Sequence, residues 1–459
     1  MLLSQWLEIV SGWQLAFAQR RLWRRSVAQA LASLVAVGRR TLSRSICARG
    51  RQHLDWSAEY KLHARSQWNV NDLFQSVLAR ALPLCATPYI AVAIDDTRLR
   101  KTGRHIQTAF FQRDPLSPKF RFNLMWGLRF LQVSLLVPLY RTQSTASPRG
   151  LPLRFVECPA LKRPARKADP QQWQAYRQLC RRENLSQRAV KVLQELRQAL
   201  DRAGVPSRPL LVVGDNSFCN RALMGAVFER TQLVVRARRD IQLCHRAADS
   251  GPCFYGRDRF TPESVRTDEG RPWGTAEIFH GGQWRLIRYK QVSDVYWQSA
   301  AKRRPLRLLV VGSIPYQVPS RRRLHYHEAA FLLTTDLTTP ACNLLQVYFD
   351  RWQIEVNHRE EKDTLGVGQA QLRTKASVAR QPAFVVAAYS ALLLAGLLAY
   401  GPERSSQFAP LPKWRRRATR PSCLDLVTVL RRQIEEQRSS LAPFGFHSSL
   451  KLLTLNADA

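Results

Sequence analysis

The sequence predicts an α/β protein with a helical N-terminal region and a β-rich insertion. Two apolar runs, Pro88–Ile94 and Leu210–Gly214, each end in acids. Buried strands that deliver carboxylates at their C-terminal tips read this way. A long amphipathic helical stretch from Asp169 to Gly204 separates them, with Leu193, Leu196 and Leu200 on one side. Residues from about 237 to 328 differ in character, with frequent Gly, Pro and aromatics and short alternating runs at 275–280, 284–290 and 306–313.

In chain order, residues 1–88 show helical spacing of Trp, Leu and Val without strand-like alternation. Basic clusters interrupt them: Arg20-Arg21 with Arg24-Arg25, Arg39-Arg40, and Arg49 with Arg51. Thr41 or Ser43 could cap a short helix there. The β-run to Ile94 is followed by strand-like runs at 119–130 and 130–140, then by the amphipathic helix and the second strand–acid unit. A helix is expected from Asn220 to Glu229 and a strand from Gln232 to Arg236. After the insertion, a strand at Ala329–Leu333 leads to Thr339-Pro340, a helix start with Thr as N-cap and Pro at the first position. That helix is expected to run to about Lys362. Gly401–Pro421 reads as a linker, followed by a short helix at Cys423–Gln437 and a weakly structured end. The resulting division is 1–88, 89–236, 237–328, 329–400 and a basic extension 401–459.

Lys and Arg number 71 against 34 Asp and Glu, a formal charge of +37. Such a surplus attracts polyanions, with nucleic acid as the first partner and an anionic membrane surface as the competitor. The nine cysteines form no Cys-x2-Cys pair and are odd in number, which argues against a zinc module or a disulfide framework and favours a reducing cytosol. No secretory signal is expected, because polar residues break the first twenty positions. Ala383–Tyr400 is uncharged over eighteen residues, at the short end for a membrane span, and is expected to be a buried helix.

The chemistry-bearing pattern lies at Tyr348, Arg351, Glu355 and Lys362, spaced Y-x2-R-x3-E-x6-K. Offsets of three, four and seven residues stack side chains along one helix face. A phenol, a guanidinium, a carboxylate and an ammonium make no core stripe; they suit a surface that holds a divalent metal beside phosphate oxygens. Asp95, Asp215 and Glu355 come from distant parts of the chain, and three such acids can hold two Mg2+ roughly 4 Å apart. Magnesium prefers oxygen ligands and keeps several waters. A single acid at a strand end is usually only a turn or cap residue; the combination carries the argument. Asp95 and Asp96 are adjacent, and only one can face the site on a strand of period two. Asp95 is chosen, with Asp96 left to position the loop.

These residues resemble those of DDE transposases of the bacterial insertion-sequence class with the Y-R-E-K signature. The resemblance rests on Ile94-Asp95-Asp96-Thr97, on Val213 through Phe218, and on Tyr348 through Lys362, with 120 and 140 residues separating the three acids. It implies a ribonuclease H-like core, a mixed sheet of five strands flanked by helices, and a β-strand insertion between the second Asp and the Glu. It implies that Asp95, Asp215 and Glu355 bind two Mg2+, with Mn2+ as a substitute, and that Tyr348, Arg351 and Lys362 hold phosphates at the transposon end. Trp352 stands where some relatives place a Trp near a flipped base, though a core Trp fits the sequence equally. The implied activity is cleavage at terminal inverted repeats and strand transfer into target DNA. A homodimer or larger assembly on DNA, in a bacterial cytoplasm and nucleoid, is implied as well. A nuclease or resolvase on the same fold, and a non-catalytic DNA-binding derivative, are the alternatives.

Overall fold

Helices α1 (Leu2–Ser11), α2 (Arg20–Val35), α3 (Leu42–Cys47), α4 (Ser57–Ala64) and α5 (Val70–Ala81) form the N-terminal region. Thr41 caps α3 by accepting a hydrogen bond from the Arg44 amide at 3.2 Å. Strands β1 (Ile90–Arg100), β2 (Phe110–Arg113), β3 (Leu124–Val137) and β4 (Arg149–Glu157) follow. Next come α6 (Pro170–Arg182), α7 (Leu185–Arg202), β5 (Leu210–Gly214), α8 (Arg221–Met224) and β6 (Thr231–Ala237). The insertion contains β7 (Leu243–Arg246), β8 (Tyr255–Phe260), α9 (Pro262–Thr267), β9 (Gly274–His280), β10 (Gln283–Val295), α10 (Gln298–Ala301), β11 (Leu306–Val311), β12 (Ile314–Gln317) and β13 (Leu324–His327). The chain then forms β14 (Ala330–Thr334), α11 (Ala341–Asp350), α12 (Trp352–Arg359), α13 (Lys375–Tyr400) and α14 (Cys423–Glu436). The computed structural model describes residues 1–115, 117–118, 120–141, 147–247, 253–317, 324–413, 418–437 and 441. The basic runs Arg321–Arg323 and Trp414–Arg417 and the C-terminal stretch 442–459 lie outside the described residues.

The chain divides into two compact units, one of Met1–Ala86, Asp96–Tyr176 and Ile354–Ala459, the other of Thr87–Asp95 and Arg177–Gln353. Strand β1 contributes its first half to the second unit and the rest to the first. In the second unit β1 and β5 run parallel, as do β5 and β6. Ile90–Ile94 of β1 and all of β5 are apolar and buried, as parallel strands covered on two faces must be. Strand β14 pairs antiparallel with β6 and is continued by β11, β10 and β9. The β-rich insertion therefore does not stand apart; it extends the sheet by capping the edge that β6 would otherwise leave open. Gly281 and Gly282, with φ of 66° and 81°, form the tight β9–β10 turn, which L side chains rarely allow.

In the first unit the outer half of β1 lies beside β3, whose other edge pairs with β2 and β4. The two runs expected at 119–130 and 130–140 are one strand, β3, with a register shift between Val133 and Ser134. The order β4–β3–β1–β5–β6 is the five-stranded mixed core, and the fold is ribonuclease H-like. Helix α13 is the spine of this unit, buried throughout Ala383–Leu397. The Trp6 indole donates to the Ala388 carbonyl at 3.2 Å, Ser390 donates to the Pro152 carbonyl of β4 at 2.7 Å, and the Trp13 ring lies 5.6 Å from that of Phe384. Trp6 and Trp13 are fully buried, worth about 4–6 kcal/mol each in transfer free energy. The apolar helix is thus covered by protein, although it is long and apolar enough to cross a membrane.

Three expectations need correction. The amphipathic stretch from Asp169 is two helices, broken where Asn184 caps α7 through the Gln187 amide at 3.0 Å. Helix α8 stops at Met224 because Gly225 ends it, well short of Glu229. Pro340, not Thr339, is the N-cap of α11; Asp336 accepts from the Thr338 and Thr339 amides at 2.9 and 2.8 Å and shapes the approach instead.

Candidate active site

Strand register brings the chain to Asp95 and Asp215 at the same end of neighbouring strands. Ile94 pairs with Gly214 at the end of the parallel β1–β5 ladder; Asp95 is the next residue of β1, and Asp215 is the first residue after β5. Adjacent strands lie about 4.8 Å apart, and matching positions of a parallel pair point to the same face. Gly214 allows close packing there, because a Cβ would stand 3.2 Å from both Ile94 and Phe218 side-chain atoms. Asp215 then shapes the loop after β5: its Oδ1 accepts from the Ser217 amide at 2.9 Å and its Oδ2 from the Ser217 hydroxyl at 3.2 Å.

Asp96 points to the opposite face of β1. Its carboxylate is gripped by Arg129 of β3, Nε to Oδ2 at 2.7 Å and Nη2 to Oδ1 at 2.9 Å. Arg129 was not anticipated from the sequence. Its signal is the single charged side chain in the β3 run.

The Y-R-E-K residues do not lie on one unbroken α-helix. Tyr348 is on α11, Arg351 is the C-cap residue with helical φ and ψ of −49° and −30°, and Glu355 is on α12. Helical torsions across Arg351 preserve the three- and four-residue offsets. Beyond α12 the chain forms a π-helical turn, Glu360–Thr364, closed by the Leu365 amide on the Glu360 carbonyl at 3.0 Å. Lys362 lies in that turn, so a seven-residue offset does not carry it onto the Glu355 face as an α-helix would. Tyr348, Arg351, Glu355 and Lys362 are all half-buried. Trp352 is 56% exposed and is not a core tryptophan.

The π-turn is anchored from inside the first unit. Tyr389 donates to Glu360 Oε2 at 2.5 Å, and Cys423 donates its amide to Glu360 Oε1 at 3.2 Å. Asn357 donates to the Gly150 carbonyl and to the Tyr389 hydroxyl, both at 3.0 Å. Burial pushes the Glu361 carboxyl up to about 8, opposed by its hydrogen bond with Gln132 and by Lys362. The segment after the turn is fixed in turn by Lys101, whose ammonium donates to the Gly368 and Ala370 carbonyls at 2.6 and 2.7 Å. Burial lowers that ammonium to about 8. The sequence hid these anchors because Glu360, Glu361 and Lys101 look like ordinary surface charges.

Among the described residues, no three His, Cys, Asp or Glu side chains gather into a group that could hold a metal ion. Asp95 and Asp215 follow the paired residues Ile94 and Gly214 in the second unit; Glu355 belongs to the first. Two carboxylates with phosphate oxygens and water are a normal magnesium shell, so this pair suits a hard divalent cation that arrives with its substrate.

A search of the curated proteins found no match. Residues 180–391, a little under half of the chain, match the family model described as transposase DDE domain, a stretch that includes Asp215 and the whole Y-R-E-K segment and begins after Asp95. Residues 180–391 are thus similar to the transposase DDE domain.

Proposed function

We propose that this protein is a metal-dependent DNA transposase that cleaves at transposon ends and joins the freed 3′-OH to target DNA. The observation that carries the reading is the pairing of Ile94 with Gly214, each followed directly by an aspartate, in a chain whose stretch similar to the transposase DDE domain also holds Glu355. DDE transposase domains generally use divalent metal ions, and DNA is the substrate the family implies. Asp95, Asp215 and Glu355 are assigned as ligands of two Mg2+, with Mn2+ as a substitute. The chemistry such ions supply is activation of an attacking oxygen and stabilisation of a leaving one.

The protein's own residues do the rest. Asp96 stays with Arg129, leaving Asp95 to face Asp215. Arg351 suits a bidentate phosphate grip, Lys362 supplies a point charge to the same strand, and Tyr348 adds a hydroxyl donor. Exposed Trp352 offers an indole face to an unstacked base. Residues 1–88 are assigned to end recognition, and catalysis to an assembly of at least two protomers on DNA.

Glu355→Gln tests the proposal with a duplex carrying the inverted repeats that flank the coding sequence. Cleavage should fall at least about a hundredfold while end binding persists. Undiminished cleavage contradicts it. Pre-cut ends separate the nuclease alternative, because a nuclease gives no joined product.

A further inference from the structure

The β2–β3 hairpin exposes rings that a soluble surface has no reason to show. Phe111 is 67% exposed, Phe120 92%, Phe122 66% and Leu124 55%, all within one short segment of the first unit. Scattered exposed apolar residues are ordinary, but a cluster on one hairpin marks an interaction site. Register puts Phe111 opposite Trp126 and Arg113 opposite Leu124, so these four share a face. The hairpin is braced. The Trp126 indole donates to the Gly103 carbonyl at 3.1 Å, and its ring lies 5.0 Å from that of Phe111. The Asp114 amide donates to the Asn123 carbonyl at 2.9 Å, and the Asn123 amide to the Ser117 hydroxyl at 3.2 Å, fixing the loop that carries Phe120 and Phe122.

The charge around these rings selects the partner. The Arg113 guanidinium lies 5.6 Å over the Phe122 ring, and exposed Arg121 sits between the two loop phenylalanines. Exposed Arg104 follows the residue that Trp126 holds. Between Arg98 and Arg129 the sequence contains a single acid, Asp114. Flat rings interleaved with guanidinium groups match unpaired bases on a phosphate backbone: each base stacks on a ring while a cation meets the phosphate beside it. A duplex keeps its base faces covered and cannot use the rings. From this juxtaposition we propose that the β2–β3 hairpin is a stacking platform for single-stranded DNA, formed by Phe111, Phe120 and Phe122 with Arg113 and Arg121. This rests on the reading of DNA as substrate and adds an unpaired strand to it.

The test is fluorescence anisotropy of the full chain with a labelled, unstructured oligothymidylate and with duplex end DNA. Phe111→Ala combined with Phe122→Ala should weaken oligothymidylate binding at least about tenfold. It should leave the salt slope and duplex binding unchanged. Phe111→Tyr with Phe122→Tyr should bind like the parent, since the ring is kept. Arg113→Ala should reduce the log–log salt slope by about 0.7 for the single strand. Parent-like oligothymidylate binding by the double alanine variant overturns the platform. So does a loss of self-association in that variant with strand binding intact, which would make the face a contact between copies. A parent chain that binds duplex ends but not oligothymidylate overturns the platform alone; one that binds neither overturns the substrate reading with it.

Discussion

Arg129 holds Asp96 by two hydrogen bonds of 2.7 and 2.9 Å, and that grip separates the roles of two acids that are neighbours in sequence. The pair is mostly buried, with 28% of the Arg129 side chain and 10% of the Asp96 side chain exposed. Removing the arginine strands a carboxylate. Arg129→Ala should cost about 2 kcal/mol in urea denaturation. Asp95→Asn should cost less than Arg129→Ala in the same measurement. The reverse order of stabilities would show that Asp95 is the structural acid.

Glu361 gives the π-turn a pH dependence of known sign. Burial raises its carboxyl from 4.5 to about 8, so the folded chain keeps a proton that the unfolded chain loses. Its contribution is complete below about pH 4.5 and is lost as pH rises toward 8, by at most about 1.4 kcal/mol per pH unit. Melting temperature measured across this range should fall less with pH in Glu361→Gln than in the parent. Equal slopes would mean that Glu361 is ionised throughout.

Arg351 and Lys362 make a separate claim about phosphate. Arg351→Ala and Lys362→Ala should each weaken binding to end duplex and lower the log–log salt slope by about 0.9. A slope that stays at the parent value in both would remove them from the backbone contact.

Much of this architecture was legible because it follows from local rules. The apolar runs before Asp95 and Asp215 read as buried strands because only covered parallel strands are apolar on both faces. The β9, β10 and β11 runs were visible as short alternating runs in a stretch rich in Gly, Pro and aromatics. Strand β4 was not, because Pro152 and two arginines disguise it; Arg149 and Arg154 are in fact buried. The π-turn was hidden because its cause is tertiary: Tyr389, Cys423 and Gln132 lie far away in sequence. The choice of Asp95, Asp215 and Glu355 rests on spacing, whereas the partner that grips Asp96 comes from another strand.

The central claim is that Asp95, Asp215 and Glu355 share bound metal. Iron-directed cleavage of the chain measures this most directly: Fe2+ with ascorbate and peroxide, on the complex with end DNA, cuts backbone near wherever the ion sits. Cuts are expected close to positions 95, 215 and 355, all suppressed by excess Mg2+. Cuts near 95 and 215 with none near 355, or cutting that Mg2+ does not suppress, would contradict it.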